Sequence, residues 1–157
     1  MNQRIYNYCI HLLARQDYSE FKLRQKLRSK KDNLLHEIDE VLAKLIENSL
    51  LNETNYRRLF IRKWMFKGES REKITKRGAM EKLSFTNEEF DAIEEELGFN
   101  DSDSLEKLIA KKLRSKEIPT DKESFYKLRE KVLRFLISKG HDYSDAKDAL
   151  NQFLKSR

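Results

Sequence analysis

Apolar residues recur along this chain at the spacing of amphipathic helices. Such spacing places apolar side chains on one face of a helix with 3.6 residues per turn. The clearest stripe is formed by Leu34, Ile38, Val41, Leu42, Leu45 and Ile46. The same reasoning predicts nine helices, at about residues 3–15, 19–30, 34–48, 53–66, 70–83, 87–97, 102–115, 121–139 and 144–155. The chain is therefore predicted to be all-α.

Short polar or glycine-containing breaks separate the predicted helices. The break before the second helix offers Asp17 or Ser19, whose side chains can accept hydrogen bonds from the first backbone N–H groups of that helix. Asp17 and Glu20 also have the spacing of a capping box. Nearly the same break recurs at residues 142–145, and a weaker version lies at residues 68–71. One helix–break–helix device is therefore used several times.

The nine predicted helices fall into three sets of three, with a period near 50 residues. Such a period is typical of tandem helical arrays, in which each repeat packs on its neighbour. The corresponding repeats are residues 1–52, 53–100 and 101–157. The closest internal match, however, pairs the first two helices with the last two, so the repeat boundary is ambiguous by one helix. A single globule of six or nine helices is the alternative.

The composition favours helices and a cytoplasmic protein. The chain has 157 residues with one proline and four glycines, so helix-breaking residues are few. Apolar runs such as residues 135–137 are far too short to cross a membrane, and the first residues lack the apolar segment of a secretory signal. Cys9 is the single cysteine and has no partner for an internal disulfide.

The charge pattern favours a polyanionic partner. The net charge is +6 and the pI is about 9.3. Basic residues are concentrated at 22–31, 57–82 and 107–139, whereas the third helix of each set is acidic. If equivalent helices align along an array, one side becomes a basic stripe, which suits an elongated anion better than a small ligand. Otherwise the charges solvate single helices and form pairs four residues apart.

The sequence contains no pattern that indicates an enzyme, a cofactor or a metal site. His11, His36 and His141 are scattered and lack a nearby cysteine or second histidine. There is no glycine-rich phosphate loop and no G-x-S-x-G sequence. Cys9 lies on the apolar face of the first helix, where we predict packing and not nucleophilic chemistry. The carboxylates at 94–96 are predicted to form a solvated or partner-facing patch.

Aromatic and basic residues are interleaved in the fourth predicted helix. Tyr56, Trp64 and Phe66 lie among arginines and lysines, a mixture that can stack on bases or anchor a protein interface. Because Tyr56, Phe60 and Trp64 share one helical face, we predict that these three belong to the core. The basic residues and Phe66 are predicted to be exposed.

Four further segments, taken in order, form a recognisable pattern. They are Leu12-Leu13-Ala14-Arg15-Gln16-Asp17-Tyr18-Ser19-Glu20 with Leu23-Arg24-Gln25-Lys26-Leu27; Leu45-Ile46-Glu47-Asn48-Ser49-Leu50-Leu51-Asn52-Glu53 leading to Tyr56; Phe60-x-Arg62 with Gly68 and Ile74; and Lys127-x-Arg129-x-Lys131-x-x-Arg134-Phe135-Leu136-x-x-Lys139-Gly140. With these segments, which span nearly the whole chain, the sequence resembles the RecX family of regulators of the RecA recombinase.

Four positions depart from the pattern of that family. Gln16 stands where a second arginine is common, and Ser49 stands where a glycine is usual. Gly78 occupies the position of an expected leucine, and Lys82 that of an expected glycine. The family pattern is therefore interrupted around the fifth helix, at Gly78 and Lys82.

The resemblance implies an all-helical protein of three tandem three-helix repeats that form an elongated, curved array. Members of the family are bacterial and cytoplasmic, lie in the helical groove of the RecA–DNA filament, and usually inhibit the ATPase, strand-exchange and coprotease activities of RecA. Some also bind single- or double-stranded DNA without sequence preference. We expect a monomer that is not an enzyme and has no cofactor.

The resemblance and the charge pattern together select the cations expected to contact RecA or DNA. The main candidates are Arg57, Arg58, Arg62, Lys63, Lys67, Arg71, Lys76 and Arg77. The supporting candidates are Lys26, Arg28, Lys30, Lys111, Lys112 and Arg114. Reversing the charges of Arg62 and Lys63 is expected to weaken RecA inhibition while leaving the helical content unchanged. The alternative is a stand-alone DNA-binding regulator of helix-turn-helix type, which reads sequence in the major groove.

Overall fold

The computed structural model describes residues 1–98 and 100–157 and shows only helices and their connections in these residues. The helices are α1 (Gln3–Leu13), α2 (Glu20–Arg28), α3 (Leu35–Glu47), α4 (Glu53–Phe66), α5 (Arg71–Ala79), α6 (Asn87–Leu97), α7 (Asp101–Leu113), α8 (Lys122–Ser138) and α9 (Tyr143–Lys155). The prediction of an all-α fold is thus confirmed. The division into three repeats stays a prediction.

The helix starts repeat one capping arrangement, as the recurring breaks indicate. Ser19 Oγ accepts a hydrogen bond from Lys22 N at 3.2 Å, and Ser70 Oγ accepts one from Lys73 N at 3.2 Å. At the start of α9, Asp142 Oδ2 accepts a hydrogen bond from Ser144 N at 2.9 Å. The predicted capping box of Asp17 and Glu20 is wrong, because Ser19 is the N-cap residue and Glu20 is already the first residue of α2.

Helix α5 ends at Ala79, four residues before the predicted end. The chain turns instead, and the N–H groups of Glu81 and Leu83 both donate to the carbonyl of Gly78. Lys82 adopts φ +54°, in the left-handed region that favours glycine. Ser49, just after α3, adopts φ +56°. The two positions where the family usually has glycine are therefore positions where this backbone requires a positive φ.

The first compact unit comprises residues 1–60 and 78–84. Helices α1, α2 and α3 pack on one another there. Their shared core consists mainly of Ile5, Cys9, Leu12, Leu23, Leu27, Ile38, Val41, Leu42 and Leu45. The apolar stripe predicted on α3 is narrower than expected, because Leu34 and Ile46 are 56% and 48% exposed. Leu34 is the N-cap residue and lies outside the regular helix.

The second compact unit comprises residues 61–77 and 85–157. Helices α7, α8 and α9 pack on one another there. Their shared core consists of Leu105, Leu108, Ile109, Leu113, Val132, Leu133, Leu136, Ala146 and Leu150. Ile61, Met65, Ile74, Phe90 and Ile93, from α4, α5 and α6, are also buried in this unit.

The chain segment after α4 is tied to the segment after α8. The N–H of Ser70 donates to the carbonyl of Lys139 at 3.0 Å, and Nε2 of the buried His141 lies 2.8 Å from the carbonyl oxygen of Gly68. Gly68 has φ +81°, and a Cβ atom there would lie 2.6 Å from the side chain of Leu108. This close approach positions the residues around Gly68 beside α7 and α8.

Candidate polyanion-binding surface

Exposed lysines and arginines extend from α2 in the first unit. Lys26, Arg28 and Lys30 are all exposed. The ammonium group of Lys30 lies 3.7 Å from the ring centroid of Tyr8, and that of Lys26 lies 5.9 Å from that of Tyr18. Cation–π contact of this kind orients an ammonium group while leaving its charge uncompensated. The three supporting candidates from this segment thus remain able to meet an anion.

Four main candidates of the α4–α5 segment lie in ion pairs with acidic neighbours. The partners are Arg62 with Glu96 at 3.2 Å, Arg71 with Asp91 at 2.6 Å and Glu94 at 2.7 Å, Lys76 with Glu72 at 2.6 Å, and Arg77 with Glu69 at 2.5 Å. In the first unit Arg57 donates to the carbonyl oxygen of Ser84. Such pairs reduce the charge available to an external anion, so several of the predicted contacts have a structural role in this fold.

Glu69 is the most buried member of these pairs, with its side chain only 2% exposed. Burial by itself raises the pKa of this carboxyl. The hydrogen-bonded Arg77 and the charges of Lys73 and Lys139 together lower the pKa by more than burial raises it, so the pKa is below its usual range. Two parallel bonds, at 2.5 and 2.7 Å, join the Arg77 guanidinium to the Glu69 carboxylate. Glu69 therefore stays ionised and fixes Arg77 in place.

Trp64 lies under a group of cations. Lys63 Nζ, Lys67 Nζ and Arg77 Cζ lie 5.1, 4.6 and 3.8 Å from its ring system. Trp64 is half-buried, so the prediction that it belongs to the core is only partly right; the adjacent cations cover its outer side. We infer that the ring holds these side chains in place instead of stacking on a base.

The other aromatic residues of α4 divide between the core and the surface. Phe60 is buried as predicted, and Phe66 is 77% exposed as predicted. Tyr56 is half-buried, and its hydroxyl donates to Glu81 Oε2 at 2.7 Å. Burial and the neighbouring Glu81 carboxylate raise the pKa of Tyr56. Tyr56 is therefore a half-buried residue whose hydroxyl is engaged as a hydrogen-bond donor.

Five lysines line one open cavity of the second unit, which we call the lysine cleft. Its volume is about 430 Å³, and its apolar lining residues are Leu108 and Phe135. The five lysines are Lys67, Lys111, Lys112, Lys116 and Lys139. No acidic side chain lines the cleft among the residues that the structure describes. The cleft is therefore a concave site that carries only positive charge.

The lysines of the cleft differ from the paired arginines in their surroundings. Among the side chains that the structure describes, no carboxylate oxygen lies within 4 Å of any of these five ammonium groups. Lys112 Nζ and Lys139 Nζ lie 4.4 and 5.8 Å from the ring centroid of Phe135. Like charges held together in a concave site attract anions from solution.

The cleft contains three of the predicted site residues and two others. Lys67, Lys111 and Lys112 were among the candidates, whereas Lys116 and Lys139 were not. Lys116 follows Lys112 by four residues, a spacing that could have indicated it. Lys139 joins the group because the end of α8 meets the segment after α4, and no local pattern predicts that contact. Arg58 and Arg114 are exposed and do not line the cleft.

The cysteine and the three histidines are divided between the core and the surface. Cys9 is fully buried, and burial raises the pKa of its thiol to about 11. His11 and His36 are exposed, and His141 bonds to the backbone of Gly68. Among the described residues no group of histidine, cysteine, aspartate and glutamate side chains could hold a metal ion. Across those same residues, every helix is too short or too polar to cross a membrane.

The chain is similar to proteins described as RecX. A family model described as the first three-helix domain of RecX matches residues 6–45. Two proteins named "Regulatory protein RecX", from Haemophilus influenzae strains PittEE and ATCC 51907 / DSM 11121 / KW20 / Rd, are each 26% identical over 153 residues. In both cases the match covers 97% of this chain and 96% of the relative.

Solved structures give a likeness of fold. The crystal structure of RecX from Lactobacillus salivarius has a TM-score of 0.66 and 18% identity, and the match covers 96% of this chain and 95% of that one. A second structure, described as the crystal structure of regulatory protein RecX, has a TM-score of 0.64 and 18% identity, with 93% and 71% covered. These chains share their helical fold with the present one.

Proposed function

We propose, because this chain belongs to the RecX family, that it regulates the RecA recombinase by binding the RecA–DNA filament. The observation that carries the proposal is the match to proteins named "Regulatory protein RecX", which extends over 97% of this chain and nearly all of each relative. A match of that extent spans nearly the whole chain and is not limited to a single shared motif. The exposed cations of α2 and the lysine cleft support the proposal, because the filament contains DNA.

The proposed action is inhibition of the ATPase, strand-exchange and coprotease activities of RecA, exerted in the cytoplasm by a monomer. The chain would lie along the filament as three successive three-helix repeats, residues 1–52, 53–100 and 101–157. Contacts distributed over such a chain add through effective concentration, so each contact can be weak. The exposed cations of α2, α4 and α7 would meet DNA phosphates or acidic surfaces of RecA protomers.

The test is RecA's ATP hydrolysis on single-stranded DNA, measured with increasing amounts of this protein. We expect the steady-state rate to fall and to reach a plateau as the filament is occupied. An unchanged rate at a large excess of this protein over RecA contradicts the proposal. A rate that rises would instead make the protein an activator of the same filament.

One observation favours a second candidate, a stand-alone DNA-binding regulator of helix-turn-helix type. Helices α1 to α3 share a core of their own, and the matching family model is described as a three-helix domain. Binding to random and to defined duplexes separates the two candidates. A marked preference for one sequence supports the second. Affinity that depends on salt, with a log–log slope of about 0.9 per phosphate, and that ignores sequence supports the first.

A further inference from the structure

We propose that the lysine cleft binds consecutive phosphates of a single nucleic-acid strand. That the strand is DNA rests on the proposed function. The predicted cations then fall into two groups. Lys67, Lys111, Lys112, Lys116 and Lys139 contact phosphate. Arg71 and Arg77 instead bind acidic side chains of the second unit.

Charge is the first reason for this assignment. Five ammonium groups line about 430 Å³ of open space, and no described carboxylate shares that lining. Each ammonium group lowers the electrostatic cost of an anion beside it, and a concave site concentrates the field. A strand that enters the cleft releases its bound counterions, which adds favourable entropy for every phosphate neutralised.

The chemistry of lysine is the second reason. An ammonium group on a flexible stem acts as a point charge, so it can contact phosphates without the fixed geometry that an arginine requires. Lys112 and Lys139 lie by the Phe135 ring, at 4.4 and 5.8 Å, so that the ring serves these cations and is not offered to a base. The cleft is therefore expected to recognise the phosphate backbone and to ignore sequence.

The paired arginines differ because a phosphate would have to break existing bonds to reach them. Arg77 makes two bonds to the buried Glu69, and Arg71 is shared between Asp91 and Glu94. Separating Arg77 from Glu69 would leave a buried carboxylate without its partner. Lys67, Lys111, Lys112 and Lys116 carry no such cost, since no described carboxylate lies within 4 Å of their ammonium groups. Lys139 also has no described carboxylate within 4 Å, although its charge acts on Glu69 from a greater distance.

The test is the binding of a fluorescent single strand of about 20 nucleotides, followed by anisotropy between about 50 and 200 mM salt. The cleft variant combines Lys111→Gln and Lys116→Gln. The control variant combines Lys147→Gln and Lys155→Gln, two exposed lysines of α9 outside the cleft, and has the same net charge. For a single strand each lost phosphate contact lowers the salt slope by about 0.7, so the cleft variant should lose about 1.4.

We expect the cleft variant to bind at least about tenfold more weakly at 50 mM salt, from the same counterion-release relation. The control variant should keep the slope of the unmodified protein, and a strand of scrambled sequence should bind equally well. Inorganic tripolyphosphate should compete with the strand in the unmodified protein. These results would support the assignment.

Four results would overturn the assignment. The first three are equal losses in the cleft and control variants, no binding of the strand by the unmodified protein, and binding of tripolyphosphate alone. If strand binding is unchanged in the cleft variant while RecA inhibition is lost, the cleft contacts an acidic protein surface and the assignment is also wrong. The ATPase test is independent of this one. If the cleft binds DNA but the protein has no effect on RecA, only the proposed function is refuted.

Discussion

The pair formed by Arg77 and Glu69 gives the sharpest test of the division between structural and ligand-binding cations. Arg77→Met removes the guanidinium and keeps much of its apolar stem over Trp64. It leaves a carboxylate that is 2% exposed with Lys73 as its remaining partner, 3.7 Å away. We expect the free energy of unfolding to fall because this carboxylate loses its strongest compensation.

The magnitude follows from the burial of the two partners. Breaking a buried pair costs about 3–5 kcal/mol, and an exposed pair contributes about 1 kcal/mol or less. Because Glu69 is buried but Arg77 is 36% exposed, we expect a loss of about 2 kcal/mol. With a urea dependence of about 2 kcal/mol per molar, the midpoint of unfolding should fall by about 1 M.

The assay is urea unfolding followed by circular dichroism, at neutral pH and in acid. Glu69 has a lowered pKa in the folded protein, so its stabilising contribution is present above the ordinary glutamate pKa of about 4.3 and is lost as the pH falls through the lowered value. The difference between the variant and the unmodified protein should therefore shrink in acid. Adding Glu69→Leu to the variant should recover part of the loss, because no unpaired carboxylate remains.

Lys63→Met is the matched control, since it removes another cation near Trp64 that has no such buried partner. It should change the stability by less than about 0.5 kcal/mol, as most surface substitutions do. The reasoning is refuted if Arg77→Met has an equally small effect. Arg77 would then be available to an external anion, and the distinction between structural arginines and phosphate-binding lysines would no longer hold.

Three further predictions concern backbone and thiol. Ser49→Gly should raise the stability by about 0.5–1 kcal/mol in thermal or urea unfolding, because it relieves a positive φ at some cost in chain entropy, and Lys82→Gly should act in the same direction. Gly140→Ala should lower the stability by about 2 kcal/mol or more, because its φ is +89° and the new Cβ would lie 2.6 Å from Lys73 Cβ. The Cys9 thiol should react with a thiol reagent at pH 8 only in denaturant, because it is fully buried and its pKa is about 11.

Much of the fold is encoded in local signals that the sequence shows directly. Helices α4 and α6 have the predicted bounds. In α6 these bounds follow from local signals, because Thr86 caps the start of the helix and Gly98 closes it. The end of α5 could not be predicted in this way. It depends on a turn in which Lys82, a residue that disfavours positive φ, takes the place of glycine.

The candidate site was only partly predictable because it is formed by distant segments. Charge pattern identified Lys67, Lys111 and Lys112, but only the tertiary structure adds Lys139 to them. The same reading could not separate Arg71 from these lysines, because its acidic partners lie at least 20 residues away in sequence. Arg62 and Lys63 also differ in a way that the sequence does not show. Arg62 forms an ion pair with Glu96, so reversing the charge of Arg62 would place two carboxylates together.

The most direct measurement is RecA's ATP hydrolysis on single-stranded DNA in the presence of three proteins: the unmodified chain, the cleft variant with Lys111→Gln and Lys116→Gln, and the α9 control with Lys147→Gln and Lys155→Gln. We predict that the unmodified chain and the control lower the rate equally. The cleft variant should need a severalfold higher concentration for the same effect. A rate that the unmodified chain leaves unchanged, or that all three proteins lower equally, would contradict the account.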